Sequence, residues 1–314
     1  MRRIKQILIL AGILVLTVLP GGCASAEQEA SARLSIVATD FPCYDFARQV
    51  AGEYADVTML IRPGAEVHTY EPSPADIVAV READLFVYIG GESDTWADGI
   101  LDSLSDGPTV LRLLEHVEAR EEELVEGMQA EAEDDGEEAE YDEHIWTSPV
   151  NAARMVGAVE DALSALDPAH AGAYAANAEA YIGEIEALDA RFREIADNGV
   201  RREIVFGDRF PFLYFAKEYD LTYYAAFPGC SSAAEPSAQT VAGLIDRVRA
   251  DGIPVVYTIE LSSGQIARTI AGETGAEVLT MYSCQTVSLD DFQAGESYVT
   301  LMRRNLVALE KGLN

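Results

Sequence analysis

Residues 34–51 read LSIVATDFPCYDFARQVA, in which a β-rich run leads directly into a stretch with helical character. We predict a strand at 34–38 and a helix at 43–51. The alternation continues to about residue 110, with further predicted strands at 57–61, 85–89 and 109–111 and a helix at 74–81. That second helix follows Ser73, its predicted N-cap, and begins with Pro74. Alternating strands and helices are typical of βα units around a parallel sheet, so the first third of the chain predicts an α/β lobe.

A long helical segment precedes a second series of the same kind. Helical periodicity resumes after Ser148 and runs, with a break at Asp167 and Pro168, to about residue 198. At the rise of an α-helix, roughly thirty residues correspond to a rod of about 45 Å. Beyond it, strands are predicted at 203–206, 222–225, 255–259 and 277–280, and helices at 211–219, 236–250, 264–274 and 297–311. The predicted fold class is α/β: two βα lobes with parallel-type sheets, joined by one long backbone helix.

The N-terminus has the pattern of an export signal. The basic start MRRIKQ leads into an apolar run at 7–19, which is shorter than the about 20 residues of a membrane-spanning helix. The run ends in LPGGC at 19–23, which resembles a bacterial lipobox with Cys23 as the lipid-modified residue. Pro20 stands where that motif usually carries an aliphatic residue, and cleavage as an ordinary signal peptide is the alternative. We expect an exported protein, lipid-anchored to the outer face of the cell membrane or located in the periplasm.

Acidic residues dominate the charge of the chain. The formal net charge is −32, which excludes nucleic acid as a main partner because phosphate contacts require clustered Lys and Arg. Residues 115–143 contain fifteen acidic residues and one basic residue. The part at 118–143 lacks a regular apolar period and is predicted to be a loop. Two roles remain open for it: concentrating cations near a site, or forming a solvated loop without a binding role.

These patterns divide the chain into five predicted segments. The two N-terminal ones are the signal peptide at 1–22 and a lipidated tether at 23–33. The folded part is divided into an N-terminal α/β lobe at 34–166, which includes the acidic loop, a linking helix at 167–199, and a C-terminal α/β lobe at 200–314.

Two of the four histidines lie in unusual local sequences. His68 lies in GAEVHTYEPSP (64–74), between a predicted strand and a helix, and His144 lies in YDEHIWTSP (141–149), where the chain leaves the acidic loop. Neutral imidazole is the commonest protein ligand for zinc, and carboxylates can complete such a site. From their positions alone, the two residues are either metal ligands or surface polar residues.

Five ordered motifs carry a family resemblance. GAEVHTYEPSP and DEHIWTSP are similar to the two histidine motifs of the zinc and manganese solute-binding proteins that serve ABC importers. The likeness continues in GDRFPFLYFAKEYDL (207–221), TIELSSGQIARTIAGETGAEVL (258–279) and SYVTLMRRNL (297–306), and covers nearly all of the chain after the tether. The resemblance implies two lobes with a metal between them. It also implies a monomer that is not an enzyme, that binds zinc, or manganese as the second choice, and that delivers the metal to an importer permease in the membrane.

The same resemblance implies four metal ligands. The family's first two ligand positions fall on His68 and His144. At the third, the family usually has His-Asp-Ala-Phe, whereas this chain reads GDRF at 207–210, and we expect Asp208 to substitute. The alternative is that Asp208 caps the next helix or pairs with its neighbour. At the fourth, the family's aspartate is replaced by SCQ at 283–285, and Glu260, at the C-terminal end of the preceding strand, is the alternative donor. The other interpretation of Glu260 is a partner for a lobe-closing arginine or a backbone amide.

Three cysteines remain if Cys23 carries lipid. Cys230 and Cys284 both follow strand ends and are predicted to form a disulfide, because the compartment is oxidising, with zinc binding as the alternative. Cys43 is predicted to be a core thiol. The sequence leaves two alternative functions: a secreted metal-dependent hydrolase, although no HExxH motif is present, and a surface adhesin.

Overall fold

The computed structural model describes residues 33–126, 128, 141–230 and 236–314. The predicted signal peptide, the predicted lipid attachment site at Cys23 and much of the predicted acidic loop lie outside the described residues. The two ends of the acidic segment lie side by side, because Glu121 and Tyr141 form an isolated antiparallel bridge. Within the described ranges, no helix is both long enough and apolar enough to cross a membrane.

The first sheet consists of four parallel strands in the order β2-β1-β3-β4. The strands are β1 (Leu34–Ala38), β2 (Ala55–Met59), β3 (Leu85–Tyr88) and β4 (Thr109–Arg112). The helices that connect them are α1 (Phe41–Ala51), α2 (Pro74–Glu82) and α3 (Thr95–Ser103). Helix α1 begins two residues before its predicted start because the Asp40 carboxylate, one residue earlier, accepts a hydrogen bond from Cys43 N at 3.1 Å. Ser73 caps α2, as predicted.

Two helices, α4 (Pro149–Leu166) and α5 (Ala171–Asn198), lie between the two sheets in the chain. Ser148 begins α4, because its hydroxyl accepts a hydrogen bond from Asn151 N at 3.3 Å. Between the helices, the Asp167 carboxylate accepts hydrogen bonds from His170 Nδ1 at 2.6 Å and from Tyr174 OH at 3.0 Å. The 28 residues of α5 correspond to a rod of about 42 Å.

The second sheet repeats the parallel arrangement in the order β6-β5-β7-β8. Its strands are β5 (Glu203–Phe210), β6 (Thr222–Pro228), β7 (Val255–Ile259) and β8 (Glu277–Met281). Its helices are α6 (Leu213–Glu218), α7 (Ala238–Asp251), α8 (Gln265–Thr274), α9 (Leu289–Gln293) and α10 (Tyr298–Leu313). Short 3-10 helices among the described residues lie at Gly52–Tyr54, Glu92–Asp94, Leu113–His116 and Ile145–Thr147. In each sheet, the second strand in the chain pairs with one side of the first strand and the third strand pairs with its other side, so the strand order reverses between β1 and β3 and between β5 and β7. Parallel sheets tend to bind ligands beside such points, at the carboxyl ends of the strands.

One hydrophobic core runs through both lobes. Ile36 of the first sheet, Phe206 of the second and Phe192 of α5 are buried in the same cluster, together with Trp146. The two sheets are therefore packed around shared helices. The predicted fold class, two parallel βα lobes joined by one long helix, is confirmed, whereas the segment boundaries drawn above remain predictions.

Candidate metal centre

Three side chains converge where the two lobes meet. His68, Glu143 and His144 each offer one ligand atom, and these atoms all lie within 4.8 Å of one another. The centroids of the two imidazole rings are 5.6 Å apart. The structure therefore brings together the two histidines that the sequence singled out, although they are 76 positions apart in the chain.

The two ring nitrogens of His144 have different surroundings. Nδ1 lies 3.0 Å from Asp142 Oδ1, and the same oxygen accepts a hydrogen bond from the backbone N of His144 at 2.8 Å. Nε2 is buried and has no hydrogen-bond partner within the described part of the chain. A buried polar atom without a partner is costly, and a metal ion bound by its lone pair would remove that cost. The carboxylate on the far nitrogen is the usual arrangement behind a metal-binding histidine.

Residues of the C-terminal lobe hold the segment that carries His144. Trp146, in the 3-10 helix that follows, donates from Nε1 to the carbonyl oxygen of Ser283 at 2.7 Å. Tyr214 OH donates to the carbonyl oxygen of Asp142 at 2.8 Å. Gly229 lies so close that a Cβ there would be 3.1 Å from the His144 ring. The position of this ring is therefore set by packing and hydrogen bonds from several elements.

Glu143 is the third member of the group. Its Oε1 accepts a hydrogen bond from Ser93 Oγ at 2.5 Å and its Oε2 accepts one from Ser93 N at 3.1 Å. Burial alone would raise the pKa of Glu143, but His68, the charge of His144 and the bond from Ser93 outweigh it and lower the pKa to about 2. The carboxylate is thus ionised at neutral pH and able to bind a cation.

Glu143 is not among the ligands predicted from the sequence, because it falls at the end of the predicted acidic loop at 118–143. The signal that could have found it is its position directly before His144, where the loop re-enters the fold. Charge composition alone could not separate one buried carboxylate from its solvated neighbours.

His68 lies on the loop between β2 and α2. Its Nδ1 is 2.8 Å from Ser93 Oγ and 3.3 Å from Glu143 Oε1. Two contacts connect this loop with the C-terminal lobe: the Glu66–Arg209 ion pair at 3.3 Å, and a hydrogen bond from Gly64 N to Thr286 Oγ1 at 3.2 Å. The first predicted ligand is thus held partly by the lobe to which it does not belong.

The structure does not bring the other two predicted ligands, Asp208 and Glu260, into this group. Asp208 Oδ2 accepts hydrogen bonds from Thr258 Oγ1 at 2.6 Å and from Ile259 N at 3.4 Å. Glu260 accepts from the backbone N and the hydroxyl of Ser283, both at 2.7 Å, and burial raises its pKa. Both carboxylates therefore have partners within their own lobe. They line a cavity of about 380 Å³ between the lobes, next to Glu66.

The predicted disulfide does not form. Cys230 and Cys284 are free thiols with different neighbours. Cys230 Sγ lies 4.0 Å from His144 Nδ1, whereas the buried Cys284 Sγ lies 3.8 Å from the carbonyl oxygen of Tyr282. Both residues follow strand ends, as the sequence indicates, but their side chains lie in different surroundings. Cys43 is a buried core thiol, as predicted.

Two parallel α/β lobes joined by a long helix, with imidazole and carboxylate donors where the lobes meet, define a class of two-lobed α/β proteins with a candidate metal centre between the lobes. Within that class, the chain belongs to the family described as zinc-uptake complex component A, periplasmic, whose family model matches residues 36–312.

Several known proteins are similar to the chain. Zinc-binding lipoprotein AdcA of Streptococcus pneumoniae serotype 4 is 34% identical over 293 residues, which cover 91% of this chain and 57% of the relative. The high-affinity zinc uptake system protein ZnuA of Bacillus subtilis is 31% identical over 306 residues, 94% of each chain. The crystal structure of the Zn(II)-bound ZnuA-like domain of Streptococcus pneumoniae AdcA superposes with a TM-score of 0.75 at 32% identity, covering 90% of this chain and 99% of that domain. The chain thus spans little more than half the length of AdcA.

Proposed function

We propose that this chain is the extracytoplasmic solute-binding component of a zinc ABC importer and that it binds Zn²⁺ through His68, Glu143 and His144. The observation that carries the proposal is the buried, unpaired Nε2 of His144 beside a second imidazole and an ionised carboxylate. The names of the similar proteins, which describe zinc binding and zinc uptake, support the choice of metal.

The donor set agrees with the coordination chemistry of zinc. Two neutral imidazoles and one carboxylate are a common three-residue set for zinc, and the fourth position of a tetrahedral site stays open. Manganese prefers more oxygen donors, so we place it second. Glu143 replaces Asp208 and Glu260 in the proposed ligand set because its carboxylate lies within 4.8 Å of the ligand atoms of both histidines, whereas Asp208 and Glu260 are not part of that group.

The metal is the cargo of the protein rather than a resident cofactor. We infer that a membrane permease receives it, that the protein acts as a monomer, and that Cys23 anchors it by lipid outside the cytoplasm. A transport role is preferred to catalysis because the similar proteins are named as components of metal binding and uptake. Within the described residues, no observation favours the hydrolytic or the adhesive alternative.

Calorimetric titration of the metal-free protein with zinc, and separately with manganese, tests this function. We expect one zinc per chain, bound more tightly than micromolar and more tightly than manganese. His68→Ala, His144→Ala and Glu143→Gln should each weaken zinc binding by more than about 100-fold, beyond the loss typical of an outer-shell partner. Asp208→Asn and Glu260→Gln should change it by less than about threefold.

His170→Ala is the matched control, because its ring is bound to Asp167 at the junction of α4 and α5. It should bind zinc as the unchanged protein does. Absence of zinc binding tighter than micromolar in the unchanged protein would refute the function, and a large loss in Asp208→Asn would refute the ligand set.

A further inference from the structure

The hydroxyl of Ser93 lies between two of the proposed ligands. Its Oγ is 2.8 Å from His68 Nδ1 and 2.5 Å from Glu143 Oε1. The backbone N of the same residue donates to Glu143 Oε2 at 3.1 Å. Ser93 therefore contacts both a histidine and a carboxylate of the group, although the motifs at His68 and His144 do not include it.

The chemistry of these groups determines the direction of the hydrogen bonds. An ionised carboxylate only accepts, and a serine hydroxyl has a single hydrogen to donate. Because that hydrogen is directed to Glu143, the lone pair of Ser93 Oγ must accept from His68. His68 Nδ1 therefore carries the hydrogen, which in the neutral ring leaves Nε2 as the nitrogen with a free lone pair for a metal.

Ser93 is itself held in place by the turn that follows β3. It lies in the 3-10 helix Glu92–Asp94, and the buried Asp94 carboxylate accepts hydrogen bonds from Ile89 N at 2.9 Å and Gly90 N at 3.1 Å. Gly91 allows the close approach of Glu143, since a Cβ at that position would be 2.3 Å from Oε2. Neither feature requires a metal, so the turn is preorganised to receive Glu143.

We propose that Ser93 is a positioning residue of the metal site, which fixes His68 with its hydrogen on Nδ1 and orients the carboxylate of Glu143. The effect on zinc rests on the proposed function, whereas the state of the His68 ring is a property of the metal-free protein. Without the hydroxyl, His68 can place its hydrogen on either nitrogen, and Glu143 loses the hydrogen bond from Ser93 Oγ. Loss of such an outer-shell partner typically costs 10- to 100-fold in metal affinity.

Three variants test the proposal. Ser93→Ala should weaken zinc binding by about 10- to 100-fold in calorimetry, and Ser93→Thr, which keeps the hydroxyl, should recover most of the loss. Ser103→Ala is the matched control, because its hydroxyl donates to the carbonyl oxygen of Ile100 at the end of α3. This control should leave zinc affinity unchanged.

The ¹⁵N shifts of the His68 ring in metal-free protein supply a second readout, which a purely structural role would not move. We expect the hydrogen on Nδ1 in the unchanged protein and a mixture of both ring forms in Ser93→Ala. Unchanged zinc affinity in a folded Ser93→Ala, or a hydrogen on Nε2 of His68 in the unchanged protein, would overturn the proposal. If the unchanged protein bound no zinc, the proposed function would fail, while the ring measurement would still decide the role of Ser93.

Discussion

His144 shows how a single residue couples the metal site to protons. Burial disfavours its charged form, but the Asp142 carboxylate, its hydrogen bond and the charge of Glu143 outweigh burial and raise the pKa of His144 above its ordinary value. Because Asp142 occupies Nδ1, an added proton goes to Nε2, the nitrogen proposed to bind zinc. Proton and metal therefore compete for the same lone pair.

Zinc affinity is expected to fall as the pH is lowered from 7.5 to 5.5. Below the raised pKa of His144, binding must displace one proton, so the dissociation constant should rise about tenfold per pH unit. Glu143 contributes nothing over this range, because its pKa is about 2. Calorimetry at pH 7.5, 6.5 and 5.5 measures the effect.

Asp142→Asn removes the neighbouring charge that raises this pKa, so the fall in affinity should begin at a lower pH than in the unchanged protein. A dissociation constant that stays constant between pH 7.5 and 5.5 would contradict the competition.

At the scale of elements, the proposed ligands are carried by two segments that differ in how they are held. In the segment with His144, Trp146 donates a hydrogen bond to the C-terminal lobe, and the carbonyl oxygen of Asp142 accepts one from Tyr214 of that lobe. The loop between β2 and α2 is connected to that lobe by the Glu66–Arg209 pair and by Gly64 N. Glu66 also accepts a hydrogen bond from His68 N at 3.4 Å. The ion pair thus connects the position of the His68 loop to the second lobe.

Arg209→Gln is expected to weaken zinc binding by up to about fivefold, because a partly exposed ion pair contributes roughly 0.2–1 kcal/mol. Combining Glu66→Arg with Arg209→Glu should recover part of the loss, since it restores opposite charges. Calorimetry at low and high salt measures both effects, and high salt should reduce the difference between Arg209→Gln and the unchanged protein.

Arg249→Gln is the control, because its partner Glu273 lies 3.0 Å away on the adjacent helix, α8. Equal zinc affinities for Arg209→Gln and the unchanged protein at low salt would show that the pair does not position the loop.

At the scale of the whole molecule, one buried carboxylate connects three helices. Asp45 of α1 accepts hydrogen bonds from Tyr181 OH of α5 at 2.5 Å and from Tyr298 N at the start of α10 at 2.8 Å. Arg48 pairs with the same side chain at 2.7 Å and also donates to the carbonyl oxygen of Glu296 at 2.6 Å. The N-terminal lobe, the long helix and the last helix are therefore joined at one point in the shared core.

Asp45→Ala is expected to lower the free energy of unfolding by about 3 kcal/mol, because it leaves buried donors and a partly buried guanidinium without their partner. Urea unfolding of the metal-free protein measures the change. Asp56→Ala is the control: it removes an exposed carboxylate paired with Arg33, so the change should stay within about 0.5 kcal/mol. A loss below about 1 kcal/mol for Asp45→Ala would show that the lobes are held together mainly by apolar packing.

Much of the fold was predictable because its signals are local. The β-rich run at 34–38 coincides with β1, and the caps at Ser73 and Ser148 begin α2 and α4. The break at Asp167 separates α4 from α5. Strand periodicity, helix caps and breaks depend on neighbours within a few residues, so one segment of sequence contains the whole signal.

The candidate site was predictable only in part. His68 and His144 could be proposed as ligands because the sequences around them resemble the histidine motifs of a known family. Their convergence, and the inclusion of Glu143, depend on the approach of the β2–α2 loop to the end of the acidic segment. No local sequence pattern specifies the distance between these two segments.

The sequence by itself determined the two α/β lobes, the long helix and the two histidines, since each follows from short-range periodicity or from a motif. The tertiary structure alone decided which carboxylate joins them, and it left the thiols of Cys230 and Cys284 apart. The physical reason is that packing, and no local pattern, sets the distances between side chains that are far apart in the sequence. Packing brings Glu143 to His68 and His144, whereas it places Asp208 beside Thr258 and Glu260 beside Ser283, outside that group.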